Sequence, residues 1–408
     1  MLFSSGAEFF LILFFLLFQW ATRKYLPLAA QRLVLFIGNI IILSTIISLA
    51  TIGIHVFISL LVFGALAVLA RNRNKRGTVL ATISILVLIV LFCLRNYPKA
   101  FGFESFQLGN SPELLIERLG ISYILFRNIQ SIVDALKGRL TAKNPIDYIN
   151  FILFFPNFLA GPIDKFSNFQ RHFTRPEGRL KNALFWPGVG RIVIGFLKKY
   201  AIIPLFSMYA LSYEPFLEFM SPQVAILLSA VCYSAYIFLD FSGYSDIAIG
   251  TGYIMGIKTP ENFDSPYLTT NIAAFWRKWH MTFSEFLRDL IFKPIVQLIN
   301  KTGLKPYRNA VSIIGYFLTF FICGIWHGDT VNFVYWGLWH ALGLAIFKIW
   351  SSTGSFKRLH GNGSTTKQLL VTLSGITLTF AFVTIGWLFF HYKGEDLTLV
   401  FETLFGMK

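Results

Sequence analysis

The sequence predicts an all-α, polytopic integral membrane protein, and three observations carry that reading. Of its 408 residues 55% are hydrophobic and 14% charged, with a mean hydropathy of +0.61, too apolar for a soluble pair of domains. Several apolar runs reach the length at which a helix crosses a bilayer. The excess of Lys and Arg, a formal net charge of +16, falls in short clusters between those runs, as the positive-inside rule describes. That clustering, with no nucleic-acid fold signature beside it, argues against nucleic-acid binding. Cys93, Cys232 and Cys323 are scattered through apolar sequence, which points to packing and to neither a disulfide framework nor a metal site.

Taken in order, Phe9 to Ala21 is a first helix, preceded by Glu8 and followed by Arg23 and Lys24. That charge order is opposite to a signal peptide and sets the N-terminus outside. Leu33 to Ile54 and His55 to Ala70 read as two spans ending at the basic hexapeptide Arg71 to Arg76, a topology anchor on the inner side. Thr78 to Leu94 leads out, Arg95 to Arg118 reads as an external loop lying on the surface, and Leu119 to Leu136 returns to Lys137, Arg139 and Lys143.

From Asp147 the alternation fails. The run to Ile163 carries Pro156 and Gly161-Pro162, which break a helix at apolar depth, and basic residues flank both of its ends. It reads as a re-entrant element, tolerated in a membrane only where protein buries it or a wet cavity adjoins it. Trp186 to Leu211 is interrupted by Lys198-Lys199 and Pro204. Val224 to Leu239 ends in Asp240-Phe-Ser-Gly-Tyr-Ser-Asp246, which puts carboxylates and hydroxyls in apolar surroundings, where they either line a cavity or bond backbone freed by a helix break. After the turns Thr259 to Phe263 and Ser265 to Tyr267, the pattern from Asn271 reads as one amphipathic, interfacial helix. Val311 to Trp326 and Val331 to Trp350 form a hairpin, a basic linker runs from Lys357 to Lys367, and Leu369 to Phe390 is the last span. The chain reads as one membrane domain of roughly ten or eleven embedded segments: peripheral spans over 1–117, a core over 118–350, and a C-terminal span and tail over 351–408.

The chemistry concentrates between Phe275 and His340. His327 falls at the bend of the hairpin, between Gly324 and Gly328, and the first arm looks short for a full crossing. A neutral imidazole at apolar depth is costly unless it works as a base or has a partner. His280, Asp240 and Asp246 are the candidate partners, and the two glycines leave room for another backbone or a substrate. His340, inside a regular helical run, is as well explained by packing. Trp276, Trp279, Trp326, Trp336 and Trp339 line either a site or a membrane interface. No Gly-x-Ser-x-Gly elbow, His-Glu-x-x-His motif or Walker loop occurs in the sequence.

Six motifs spread over about positions 118 to 345 resemble the membrane-bound O-acyltransferase (MBOAT) family: Gly120 to Phe126, Phe154-Phe-Pro156 through Gly161-Pro-Ile-Asp164, Asp240 to Ser245, Thr259 to Phe263, Phe275 to Thr282 and Gly324-Ile-Trp-His327-Gly328. The resemblance implies a helical core with broken elements around a funnel or tunnel. It also implies acyl transfer from a thioester to a hydroxyl, with catalytic roles for His327 and His280. Within the family, Gly161-Pro-Ile-Asp164-Lys165 and Arg118 to Tyr123 are similar to the bacterial D-alanyl-transferring branch, which serves teichoic-acid D-alanylation. Arg277-Lys278 departs from that branch, and Tyr335 to His340 looks more like the branch that O-acetylates polysaccharide or peptidoglycan.

The implied donor is the phosphopantetheine thioester of an acyl carrier protein at the cytoplasmic face, or an acyl-CoA, with no permanently bound cofactor. The implied acceptor is a polymer of the cell envelope, served with an extracytoplasmic partner protein. In this scheme Trp276, Trp279, Trp326, Asp240, Ser242, Tyr244, Asp246 and His340 line the substrate path, and Lys165, Arg277, Lys278 and Arg288 dock the carrier. A transporter or flippase uses the same broken helices and midplane histidines and is the alternative from another class.

Overall fold

In a computed structural model the described residues are 6–23, 25–72, 74–96, 112–174, 178–302, 306–361 and 364–407. Among them the chain is helical with no strand, and it divides into two compact units, Met1–Gly195 with Tyr244–Pro260, and Phe196–Gly243 with Glu261–Lys408.

The first unit begins with α1 (Gly6–Thr22), α2 (Leu28–Ser44), α3 (Leu49–Arg71) and α4 (Lys75–Asn96). The turn between α2 and α3 lies at 45–48, earlier than hydropathy places it. Ser48 sets it by accepting a hydrogen bond from the Thr51 amide at 3.1 Å, an N-cap hidden in an unbroken apolar stretch. His55 therefore lies within α3 and is buried. The expected external loop falls mostly on 97–111, outside the described residues, and α5 (Pro112–Leu136) starts before Leu119.

The segment expected to re-enter the membrane is broken as expected. It consists of α6 (Pro145–Ile152), one 3-10 turn at Phe155–Asn157, and extended chain leading to α7 (Phe166–Phe173). Side chains from distant elements bond the backbone that the break frees. Arg127, 1% exposed, donates to the carbonyls of Phe151 at 2.9 Å and Asn157 at 3.5 Å. Asn39 accepts from the Phe155 amide at 3.2 Å, and Tyr244 donates to the Pro156 carbonyl at 3.0 Å while accepting from the Ala160 amide at 3.2 Å. Arg32 grips Asp147 with two bonds, 2.7 and 2.9 Å, and Asn168 holds Asp164 at 2.9 Å. Phe151, Phe154, Phe166 and Phe169 fill the core beneath. Protein thus buries this broken backbone on every side.

α8 (Gly178–Phe196) runs into a π turn at Leu197–Ile202, a 3-10 turn at Ile203–Leu205 and α9 (Ser207–Leu211), the interruption expected from Lys198, Lys199 and Pro204. α10 (Pro222–Ile254) corrects the sequence reading, because it does not end at Leu239. Asp240 pairs with Lys199, and Lys198 donates to Ser242 at 3.1 Å, so these side chains do not compete for the helix backbone.

The pattern from Asn271 is also not one helix. α11 (Ile272–Lys278), capped by Asn271, stops at Trp279, and α12 (Met281–Leu287) starts after His280, leading through a π turn to α13 (Lys293–Ile299). His280 is in the left-handed region, at φ +41°, which breaks the path.

α14 (Arg308–His327) and α15 (Val331–Ser351) form the expected hairpin. The first arm begins before Val311 and has 20 residues, about 30 Å at helical rise, so it is long enough to cross and the expected shortfall disappears. Gly324 faces the backbone of Phe333 and Val334, and Gly328 faces the Phe333 ring, so the room these two glycines leave is taken by α15. α16 (Gly354–His360), α17 (Thr365–His391) and α18 (Gly394–Phe405) complete the second unit. α18, unexpected from the sequence, buries Val400 with Ile226 and Leu388. Among the described residues six helices, α3, α4, α10, α14, α15 and α17, are long and apolar enough to cross a membrane, and Phe9–Thr22 and Leu28–Ser44 are shorter apolar helices. The protein is a multi-pass membrane protein.

Candidate active site

The second unit gathers the three motif histidines within one aromatic cluster. Phe283 lies between two of them, with ring centroids 5.0 Å from His280 and 6.4 Å from His327. Trp336 lies between His327, at 4.8 Å, and His340, at 5.0 Å. Trp326 and Phe390 close on His327 at 4.6 and 5.2 Å.

The three imidazoles are held in different states. His340 is fully buried, and its Nδ1 accepts from the Trp276 indole at 3.3 Å. That bond puts the proton on Nε2, which is buried without a hydrogen-bond partner among the described residues. It is a packed residue sealed from any acceptor. His280, 4% exposed, shares Asn262 with its neighbours: its Nδ1 meets Asn262 Oδ1 at 3.2 Å, and Thr282 donates to the same oxygen at 2.7 Å. The Met281 amide donates to the Asn262 carbonyl at 2.8 Å. Because Oδ1 only accepts, His280 carries its proton on Nδ1, and Nε2 is its basic nitrogen. Burial, and next the nearby His327 ring, hold the His280 imidazole well below its usual range and so neutral.

His327 is the partly exposed member, at the last residue of α14 before the 328–330 bend. No side chain or backbone group among the described residues hydrogen-bonds its ring. Walled by aromatic rings, with no hydrogen-bond partner among the described residues, this imidazole has nitrogens open to a further partner.

The expected partners separate. His280 stands in the cluster, whereas Asp240 is taken by Lys199, and Asp246 in the first unit pairs with Arg191 at 2.8 Å. Ser242 is buried and bonded to Lys198, and Tyr244 braces the broken segment of the first unit. Asp240 and Ser242, which share the second unit with the histidines, each satisfy a lysine, and among the described residues neither is hydrogen-bonded to a histidine. Trp276, Trp279 and Trp336 are 7%, 4% and 2% exposed, which excludes an interfacial belt for them, and Trp326 is partly exposed beside His327. Arg277 is exposed, Lys278 pairs with Asp264 at 2.9 Å, and Arg288 bonds Asp289 at 2.9 Å. Lys165 is partly exposed in the first unit, just ahead of α7.

Sequence reasoning missed Asn262 as a positioning group. Its signal was present in Thr259 to Phe263, an amide in a turn followed by a motif histidine, but turn chemistry alone accounts for such a residue. Arg127, a lone cation in the run 119–136, carried a plainer signal.

The model of the MBOAT, membrane-bound O-acyltransferase family matches residues 33–380. A teichoic acid D-alanyltransferase of Bacillus subtilis is 36% identical over 82% of this chain and 82% of its own length. A probable alginate O-acetylase of Pseudomonas syringae is 34% identical over 77% of this chain and 58% of its own length. A teichoic acid D-alanyltransferase of Streptococcus thermophilus is 29% identical over 80% of this chain. With matches of this extent to named acyl-transferring enzymes the transporter reading is set aside: the chain belongs to the membrane-bound O-acyltransferase family and is an O-acyltransferase.

Proposed function

We propose that this enzyme moves D-alanine from the phosphopantetheine thioester of an acyl carrier protein onto hydroxyls of a cell-envelope polymer such as teichoic acid, at the bacterial cytoplasmic membrane with its N-terminus outside. The observation that carries the site is His327, partly exposed, ringed by Trp326, Trp336 and Phe390, and hydrogen-bonded to nothing among the described residues. The branch rests on similarity to the Bacillus subtilis enzyme, which spans 82% of both chains.

In the reaction, neutral His327 accepts the proton of the attacking hydroxyl as its oxygen adds to the thioester carbonyl. The tetrahedral adduct collapses with cleavage of the carbon–sulfur bond, and the imidazolium returns its proton to the departing thiolate. An ester and a free carrier thiol result. His280, held by Asn262 with its proton on Nδ1, offers Nε2 to orient the acyl end or the hydroxyl. Carrier docking is assigned to Arg277, Lys278 and Arg288 of the second unit and to Lys165 of the first, each as a cation for an acidic carrier; an extracytoplasmic partner completes delivery.

A second reading, O-acetylation of a polysaccharide, is favoured by the 34% identity to the Pseudomonas syringae protein and by Trp336-Gly-Leu-Trp-His340. Purified protein in vesicles, given either D-alanyl-loaded carrier or acetyl-CoA, separates the two. Thioester consumption with the loaded carrier alone is expected, and consumption with acetyl-CoA alone would transfer the assignment to acetylation.

A further inference from the structure

Apart from the histidine cluster, the second unit holds a cleft of about 880 Å³ between α15, α16 and α17, which the acyl-transfer mechanism does not use. Its walls are mostly apolar, with Ile346 and Phe347 on one side and Leu370, Leu378 and Phe382 on the other, interrupted by polar residues such as Asn271 and Ser374. From Lys367 to Phe382 it follows α17 for about 22 Å at helical rise, more than the ~15 Å depth of one leaflet of a ~30 Å hydrocarbon core. Both walls are helices of membrane-crossing length, so the cleft opens where acyl chains are the solvent.

One end is cationic. Lys367 lines the cleft and donates one of its three N–H groups to the backbone carbonyl of Arg358 at 3.0 Å; Lys357 and Arg358 are exposed on α16 outside the cleft wall, the Arg358 guanidinium donating to the Ser355 hydroxyl at 3.4 Å. The sequence has no Asp or Glu between Asp329 and Glu395, and none of the ion pairs among the described residues involves Lys357, Arg358 or Lys367. At the same end Trp350, 40% exposed, meets Phe356 of α16 at 6.2 Å, an aromatic pair of the kind found at headgroup level. A long apolar groove with unopposed cations and a tryptophan at one mouth matches a two-part ligand, a hydrocarbon chain with an anionic head.

We propose that this cleft binds an anionic glycerophospholipid, with one acyl chain along α17 and the phosphate at Lys367 and Arg358. The site is separate from the acyl-transfer reading and stands without it.

The test is native mass spectrometry of the full chain in detergent, titrated with phosphatidylglycerol or with phosphatidylcholine of the same chains. The wild-type protein is expected to retain phosphatidylglycerol preferentially. Lys367→Ala should weaken it about fivefold, and Lys367→Ala with Arg358→Ala about thirtyfold, toward the phosphatidylcholine level. Lys367→Arg should preserve the preference. Ser374 is exposed in the cleft wall, so Ser374→Trp should fill the groove and remove the lipid adduct while melting as the parent does. Equal retention of the two lipids by the wild type, or undiminished phosphatidylglycerol in the double variant, would overturn the assignment. So would a dimer without lipid that Ser374→Trp dissociates, since a second copy of the chain would then be the occupant.

Discussion

The chain breaks its helices twice in motif sequence, at 153–165 in the first unit and at Trp279-His280 in the second, and the breaks serve opposite ends. At the first, Arg127, Asn39 and Tyr244 are spent on freed backbone groups, and the Asn157 side-chain oxygen is left buried without a partner among the described residues. At the second, a single residue, Asn262, satisfies the backbone of Met281 and turns its side chain to an imidazole near a second one that has no hydrogen-bond partner among the described residues. A broken helix in apolar surroundings therefore marks a place where backbone must be satisfied. It marks a site only when the groups that satisfy it hold something reactive.

If the first break is structural, Arg127→Ala should give the largest effect. Two buried carbonyls would lose their donor, at a cost on the order of 3 kcal/mol, and the folded protein recovered in detergent should fall sharply. Normal recovery and melting with lost acyl transfer would instead move Arg127 into the site.

Asn262→Ala should show the reverse pattern at the second break. Acyl transfer is expected to fall about 10- to 100-fold through misorientation of His280, with a smaller change in melting. Asn262→Asp sharpens this. A carboxylate facing Nδ1 favours the imidazolium and raises the His280 pKa, so the acidic limb of the rate profile should move to higher pH. An unmoved limb would show that Asn262 acts only on the backbone.

The smallest effect belongs to Tyr244→Phe, which removes the hydroxyl that bridges Pro156 and Ala160. A loss of about 1–2 kcal/mol in stability with unchanged turnover per folded molecule is expected by thermal melting and assay. Lost turnover at unchanged stability would restore Tyr244 to the substrate path.

Features written in local pattern are legible in the sequence: the long spans in their hydropathy, the break at Pro156 and Gly161-Pro162, and the bend that carries His327. What stays hidden depends on partners far along the chain. The continuity of α10 through Asp240 rests on Lys198 and Lys199, about forty residues earlier, and no periodicity announces such a pair. The interruption at His280 rests on Asn262 in a preceding turn, while the apolar spacing across Phe275, Trp279 and Thr282 suits a continuous helix. His340 and His327 read alike, both beside tryptophan, and only three-dimensional packing seals one and leaves the other partly open.

The central claim is that His327 is the base of acyl transfer. The most direct measurement replaces it with alanine, verifies insertion and melting against the parent, and compares D-alanyl and acetyl esters on the envelope polymers of cells carrying each form. The account predicts a fall in one class of ester by about 10²-fold or more at normal protein level. Both classes unchanged in the variant would contradict it and return His327, with His340, to the packed aromatic cluster.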